Sequence, residues 1–236
     1  MPQIEPVVKL IRYTPVPEEI VAMAGRLCYS PSDLDALEER VSRQDQSKYL
    51  QKVSSMGHHS LLEHAVFTFG LEGVSRALLA QITRHRVASF SVQSQRYVGM
   101  EEDFDYVVPP SIRELGEDAV AAYCAQMEQI GAWYAQWMER VPKEDARFLL
   151  PNAASTRMLV TMNARELLHF FSLRCCNRAQ WEIREVAWRM LDLAKEAAPD
   201  LFHRAGPACL FGSCPEGKMT CGHPETARQR AGLPEK

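Results

Sequence analysis

The chain has 236 residues, 46% hydrophobic and 24% charged, with a formal net charge of −3. This length can bury one sizeable core or two small ones, and the composition excludes disorder as the default state. The slightly acidic balance argues against bulk nucleic-acid coating, and neither a signal-peptide run nor the ~20 apolar residues of a membrane span is visible, so a cytoplasmic protein is expected.

Val7–Tyr13 (VVKLIRY) has the β-branched and aromatic character of a strand and stops before Pro15. Pro17 suits a first helical turn, and Ile20, Met23, Ala24 and Leu27 share one face of the helix it opens. After a loop at Pro31–Asp35, one polar helix is expected from Leu37 to Met56, broken at Gly57. His58, His59 and His64 cluster around Ser60-Leu61-Leu62-Glu63, a capping-box pattern for a helix start. His59 and His64 are five apart, not the four of a zinc-binding helix, which speaks against a metal there. Ala65–Leu71 alternates as a strand should. Ser75 then caps SRALLAQITRHR, with Leu78, Leu79 and Ile82 inward and Arg84, His85 and Arg86 in its last turn.

Phe104–Val108 is a possible strand, stopped by Pro109 and Pro110. Ser111 and Glu114 repeat the helix-start signal, and a long helix is expected to about Glu139. Its stripe of Tyr123, Met127, Ile130, Trp133, Tyr134 and Trp137 suits core or an oligomer interface better than a cofactor box. Pro142 starts a helix through Leu149 that carries Arg147 in apolar company, where an arginine needs a partner. Thr156–Met162 is a strand. Asn163 is an N-cap with Glu166 at the capping-box position, and the helix it starts carries His169, Phe170, Phe171, Leu173 and Arg174. Ala179–Ala198 is a further amphipathic helix.

From Pro207 the periodicity is lost. Cys209, Cys214 and Cys221, with His223 behind, resemble a loose metal knuckle whose spacing fits no standard zinc pattern. The common glycine loops for nucleotides are missing.

The stretch RHRVASFSVQSQRY, Arg84 to Tyr97, crowds Arg84, His85, Arg86 and Arg96 among hydroxyls and amides. A phosphorylated ligand would relieve the repulsion, and so would a solvated helix end. Two further readings stay open. The stretch could bind RNA or single-stranded DNA, with Phe90 and Tyr97 stacking on bases. Alternatively, the aromatic helix at 123–137 could make this a helical interaction protein.

Arg84-His85-Arg86, then seven residues, then Ser94-Gln95-Arg96-Tyr97, resembles the signature of flavin-dependent thymidylate synthases. Gly57-His58, Ser60 to His64 and Val66-Phe67-Thr68-Phe69 resemble the segment that precedes it in that family. Arg147 with Leu150-Pro151, Asn163-Ala164-Arg165, His169, Leu173-Arg174 and Ala179 to Ile183 follow in family order, so the resemblance covers roughly residues 20 to 205.

That resemblance implies an α+β fold, with long helices and an antiparallel-type sheet in one domain at 1–206, and a homotetramer; the Cys/Gly/Pro-rich tail at 207–236 lies outside it. It implies methylation of dUMP to dTMP, with 5,10-methylenetetrahydrofolate as carbon donor, NADPH as reductant and FAD as cofactor. No metal site is assigned, with metal binding by the tail cysteines and His223 left open, and the charge balance and the lack of an apolar span leave no nucleic-acid or membrane partner expected. By position, Ser60, Arg84, His85, Arg86, Asn163, Ala164, Arg165 and His169 would hold FAD. Gln81, Arg84, Ser94, Gln95, Arg96, Arg147 and Arg174 would hold the nucleotide, several from a neighbouring subunit. Arg174 is the candidate that pushes charge onto the uracil ring. His58 would touch the flavin or bond a structural carbonyl. Ser94 is expected to bind rather than attack, and Val92 departs from the acidic residue of some family members.

Overall fold

The computed structural model describes residues 4–99 and 104–233; residues 234–236 of the expected tail lie outside the described residues. Chain order runs β1 (Val7–Tyr13), α1 (Pro17–Leu27), α2 (Leu34–Ser42), α3 (Ser47–Ser55), β2 (Val66–Ser75), α4 (Arg76–Ile82) and β3 (Ala88–Val92). It continues with α5 (Pro110–Glu114), α6 (Glu117–Met138), α7 (Lys143–Ala146), β4 (Ser155–Asn163), α8 (Ala164–Arg174), α9 (Trp181–Ala197), α10 (Pro199–Phe202) and α11 (Pro224–Arg230).

The four strands form one sheet in the order β1-β2-β4-β3. Ala164 N–H donates to Ala65 O and Arg76 N–H to Ala154 O, so the partner number falls as the strand advances and β2 and β4 are antiparallel. The expected α+β class with an antiparallel sheet and long helices is what the chain adopts.

Two compact units divide the chain. The first comprises Met1–Val8, Gly70–Arg84 and Phe90–Leu159; the second comprises Lys9–Phe69, His85–Ser89 and Val160–Lys236. The first unit's core sets Phe104, Tyr106, Val108 and Ala154 against Met127 of α6, with Tyr123 and Ile130 partly covered. Along the α6 stripe Tyr134 is buried too, but Trp133 and Trp137 stay 49% and 47% exposed. In the second unit Phe67 stacks on Tyr13 and meets Phe202 edge-on, and Phe202 meets Phe171 of α8. Ile183, Ala187, Met190 and Ala194 of α9 are fully buried, as the 3.6-residue period demands.

Several elements differ from the sequence reading, each for a local reason. The helix expected over Leu37–Met56 is two helices. Gln46 separates them, its amide donating to Val41 O and Gln44 O and accepting from Arg26. His59–His64 is a 3₁₀ turn with His58 at its cap position and no side-chain cap, so the Ser60–Glu63 pattern makes no capping box. Thr83 Oγ1 donates to Leu79 O, and α4 ends at Ile82, which leaves Arg84 and Arg86 exposed beyond the helix. The strand expected at Phe104–Val108 makes one bridge, Tyr106 to Ala154. Gly116, at φ 101°, breaks the long helix into α5 and α6, and the helix expected from Pro142 is α7 followed by a 3₁₀ turn at Arg147–Leu149.

Gly73 holds φ 67°, and a Cβ there would lie 2.5 Å from Glu5 O. Gly73→Ala should lower unfolding free energy by ~1–3 kcal/mol in a urea titration. Gly57→Ala, at φ 81° with nothing within 4 Å, should cost less. Equal losses would remove the backbone contact as the cause.

Candidate active site

In the second unit α8 collects the ionisable groups. Asn163 ends β4 and accepts from Glu166 N–H at 2.9 Å, so the helix starts on the expected side-chain cap. Arg165 and His169 then lie one turn apart and exposed, while Glu166 and Phe170 face inward and are buried.

His85 is only 5% exposed. Its Nδ1 lies 2.9 Å from Glu166 Oε1, and Arg174 Nε donates to its Nε2 at 3.1 Å. A ring nitrogen that accepts from a guanidinium carries no proton, so the proton sits on Nδ1 and is donated to Glu166. Burial, first, and the Arg174 charge hold this histidine below its ordinary pKa, against the opposing Glu166 hydrogen bond. A buried carboxylate costs several kcal/mol unless it is compensated. Glu166 has the His85 N–H and the positive end of α8. The sequence reading saw Glu166 only as a capping residue, and the signal it offered was a charge inside the apolar run of an otherwise buried face.

A cavity of about 720 Å³ opens in the same unit, walled by His59, Glu63, Asn163, Arg165, His169 and Ser172 among others. That is within the ~300–1,000 Å³ of cofactor and small-ligand sites. Arg165, His59 and His169 offer donors to phosphate and ring-carbonyl oxygens, while the Ser172 hydroxyl donates to His169 O at 2.7 Å and is left as an acceptor, so the residues present fit a flavin. Arg165 Nη1 pairs with Glu63 Oε1 at 2.5 Å. Of the residues expected to hold FAD, Asn163, Arg165 and His169 share this wall. His85 and Ala164 are buried, Ser60 and Arg86 are exposed, and Arg84 belongs to the first unit. His59, not His58, is the wall histidine.

His85, Glu166 and His169 also bring three possible metal-ligand atoms within 4.8 Å of one another. Both ring nitrogens of His85 are engaged, however. A cation there would displace Arg174 and sit against its guanidinium, so the arrangement suits a neutral imidazole bridge better than a metal.

The first unit has a cavity of about 740 Å³, with Glu72, Gln93, Ser94, Gln95, Asp105 and Arg157 in its wall. Ser94 Oγ accepts from Arg96 N–H at 3.2 Å. Gln95 Nε2 is buried with no hydrogen-bond partner among the described residues. An unmet amide donor costs ~1–3 kcal/mol, and a ligand oxygen in the cavity would satisfy it. Arg96 and Arg147 both turn to Glu144, Arg96 Nε to Oε2 at 3.3 Å and Arg147 Nε to the backbone carbonyl at 3.0 Å. Gln81 donates to Ala77 O within α4. The residues expected to hold the nucleotide are thus gathered only in part: Ser94 with Gln95, Arg96 with Arg147, and Arg174 in the second unit. Arg157 went unnoticed in the sequence, although its alternation with buried Thr156 and Met158 on β4 marks an outward charge.

The family model described as Thymidylate synthase complementing protein matches residues 9–200. The chain is 54% identical over 222 residues to the flavin-dependent thymidylate synthase of Geobacter sulfurreducens, covering 91% of this chain and 93% of that one. The chain belongs to the flavin-dependent thymidylate synthase family. Relatives of the same name in Clostridium tetani and Pyrococcus furiosus are 45% and 43% identical, over 91% and 89% of this chain and 92% and 89% of theirs. Membership of this family decides for the enzyme, against the nucleic-acid reading of Arg84–Tyr97 and against the interaction-protein reading of the aromatic helix at 123–137.

Because His85 is neutral when folded and its pKa is lowered, the unfolded chain takes up the proton first as pH falls. The histidine's contribution to stability is therefore intact above about pH 6.5 and declines below it, by at most ~1.4 kcal/mol per pH unit. Urea midpoints from pH 8 to pH 5.5 should fall more steeply in the parent than in His85→Gln. Parallel profiles would show that His85 is not the titrating group.

Proposed function

We propose that this chain methylates dUMP to dTMP in the cytoplasm as a homotetramer, with 5,10-methylenetetrahydrofolate as carbon donor, NADPH as reductant and FAD as cofactor. The observation that carries the reaction is 54% identity across 91% of the chain to a flavin-dependent thymidylate synthase. Two built features agree with it, the donor-lined cavity along α8 and the unmatched Gln95 amide in the first unit's cavity.

FAD supplies the hydride that completes the methyl group. Asn163, Arg165 and His169 would hold it. Ser94 and Gln95 would hold the nucleotide by ring or phosphate oxygens, and Arg96 and Arg147 bring charge for the phosphate. Uracil is a weak carbon nucleophile until negative charge reaches C5. A guanidinium at N3 and O4 favours the ionised ring, and lowering that ionisation by two pKa units takes ~2.7 kcal/mol. One or two charge-assisted hydrogen bonds, at ~1.5–3 kcal/mol each, supply it. Arg174 has this role, and His85 orients it by holding Nε. Ser94 has no carboxylate, lysine or histidine among its hydrogen-bond partners in the described residues, which supports binding over nucleophilic attack.

The assembly is supported by Trp133 and Trp137, exposed apolar surface on α6 of the kind that subunit contacts cover. The compartment is supported by seven free thiols. No helix among the described residues is long and apolar enough to cross a membrane.

Purified chain given FAD, NADPH, methylenetetrahydrofolate and dUMP should form dTMP; neither product nor flavin uptake would sink the reading. Arg174→Ala should lower turnover at least ~100-fold with flavin absorbance retained. Near-normal turnover would remove Arg174 from the chemistry. Gln95→Leu should raise the dUMP Kd about tenfold yet stabilise the free chain by ~1 kcal/mol, since it deletes an unsatisfied donor. Calorimetric titration and thermal melts read the two opposite signs.

A further inference from the structure

Four cysteines meet in the second unit. Cys176 follows the end of α8, and Cys209, Cys214 and Cys221 come from the tail. All four are free, half-buried thiols that line one cavity of about 230 Å³. Cys209 lies within electrostatic reach of the other three. His223, which its spacing groups with the tail cysteines, has its ring nitrogen Nδ1 on Glu225 Oε1 at 3.0 Å. The fourth sulfur comes from the helix end instead.

The surroundings supply donors to sulfur. Gly222, at φ 76°, turns the chain directly after Cys221, and His223 N–H then points back to Cys221 Sγ at 3.4 Å. Asn177 Nδ2 approaches the same sulfur at 3.9 Å and also donates to His223 O at 3.0 Å. Arg178 Nη1 pairs with Glu216 Oε2 at 2.5 Å. N–H groups that point at sulfur are the kind of outer contact that orients a metal-binding thiol. These contacts pin the helix end and the tail together around the thiols.

We propose that Cys176, Cys209, Cys214 and Cys221 form a tetrathiolate site for a thiophilic metal centre, one zinc ion or an iron–sulfur cluster, that fastens the tail to the end of α8. Soft thiolates select these over magnesium or calcium, and each bound thiol releases its proton to solvent. The spacing argues about size. Zn–S bonds of ~2.3 Å put the sulfurs of a tetrahedron ~3.8 Å apart. The set of three or more candidate ligand atoms within 4.8 Å of one another among the described residues is His85, Glu166 and His169, so no three of these sulfurs are that close, and a single zinc would have to draw them inward. The four-residue gap from Cys209 to Cys214 and the six-residue gap to Cys221 also differ from the two-residue gap of a zinc knuckle.

The test uses the whole chain, isolated without oxygen or chelator, and separate samples reconstituted with zinc alone or with ferrous iron plus sulfide. After desalting, about one zinc per chain identifies the ion, whereas iron matched by acid-labile sulfide identifies the cluster. Cys214→Ser and Cys221→Ser should each lower retained metal at least ~10-fold, while Cys28→Ser, which alters an exposed thiol, retains it. Should those variants fail to fold, four of the seven thiols in the parent chain should become reactive only after chelation. The proposal is overturned by less than about a tenth of an equivalent retained in all preparations, by disulfides among the four, or by metal that survives the cysteine changes and is lost in His85→Gln.

Discussion

An imidazole accepts a hydrogen bond only while one of its nitrogens is bare, and the charge arrangement along α8 hangs on that condition at His85. Its Nδ1 faces the Glu166 carboxylate and its Nε2 faces the Arg174 guanidinium, so a neutral ring separates a buried anion from a cation. Protonation would leave Arg174 without that acceptor and set two positive groups against each other. Burial, which keeps the ring neutral, is thus also what keeps the guanidinium oriented.

α8 makes this arrangement possible because its two ends have opposite polarity. Glu166 sits in the first turn, where the dipole favours an anion, and Arg174 sits in the last, where it favours a cation. The eight residues of separation put them just over two turns apart, and His85 spans the gap by touching both. Arg165 and His169 use the intervening exposed face for the cavity wall. One short helix therefore carries a buried relay on one side and ligand donors on the other.

How much of this was legible follows from what is local. β1 and α1 have the bounds their residues suggest, because VVKLIRY is bounded by Pro15 and Pro17 opens the helix. Asn163 marked the start of α8 for the same reason, since a cap is a contact over three residues. The split of α2 from α3 was hidden, because a buried glutamine that bonds backbone carbonyls and Arg26 looks polar and exposed in a sequence. β3 was hidden as well. ASFSV is too short and too small to announce a strand without its neighbour β4. At the site, residue types were readable, but the pairing of Glu166 with His85 joins positions 81 apart and leaves no local trace.

The tail bears on the same helix from its far end. Cys175, directly after Arg174, is fully buried, and Cys176 and Asn177 face the cysteine cavity and the tail loop. A side chain in the last turn of a helix can be no better placed than the backbone that follows it, and last turns fray unless tied. Arg174 is held on its side-chain side by His85 Nε2 and on its chain side by this anchored run. The family model ends at residue 200, whereas the match to the Geobacter sulfurreducens relative covers 91% of the chain and so runs on into the tail. Cys176 is two residues from Arg174, so the contacts that tie the helix end to the tail also limit how far the backbone carrying that guanidinium can move.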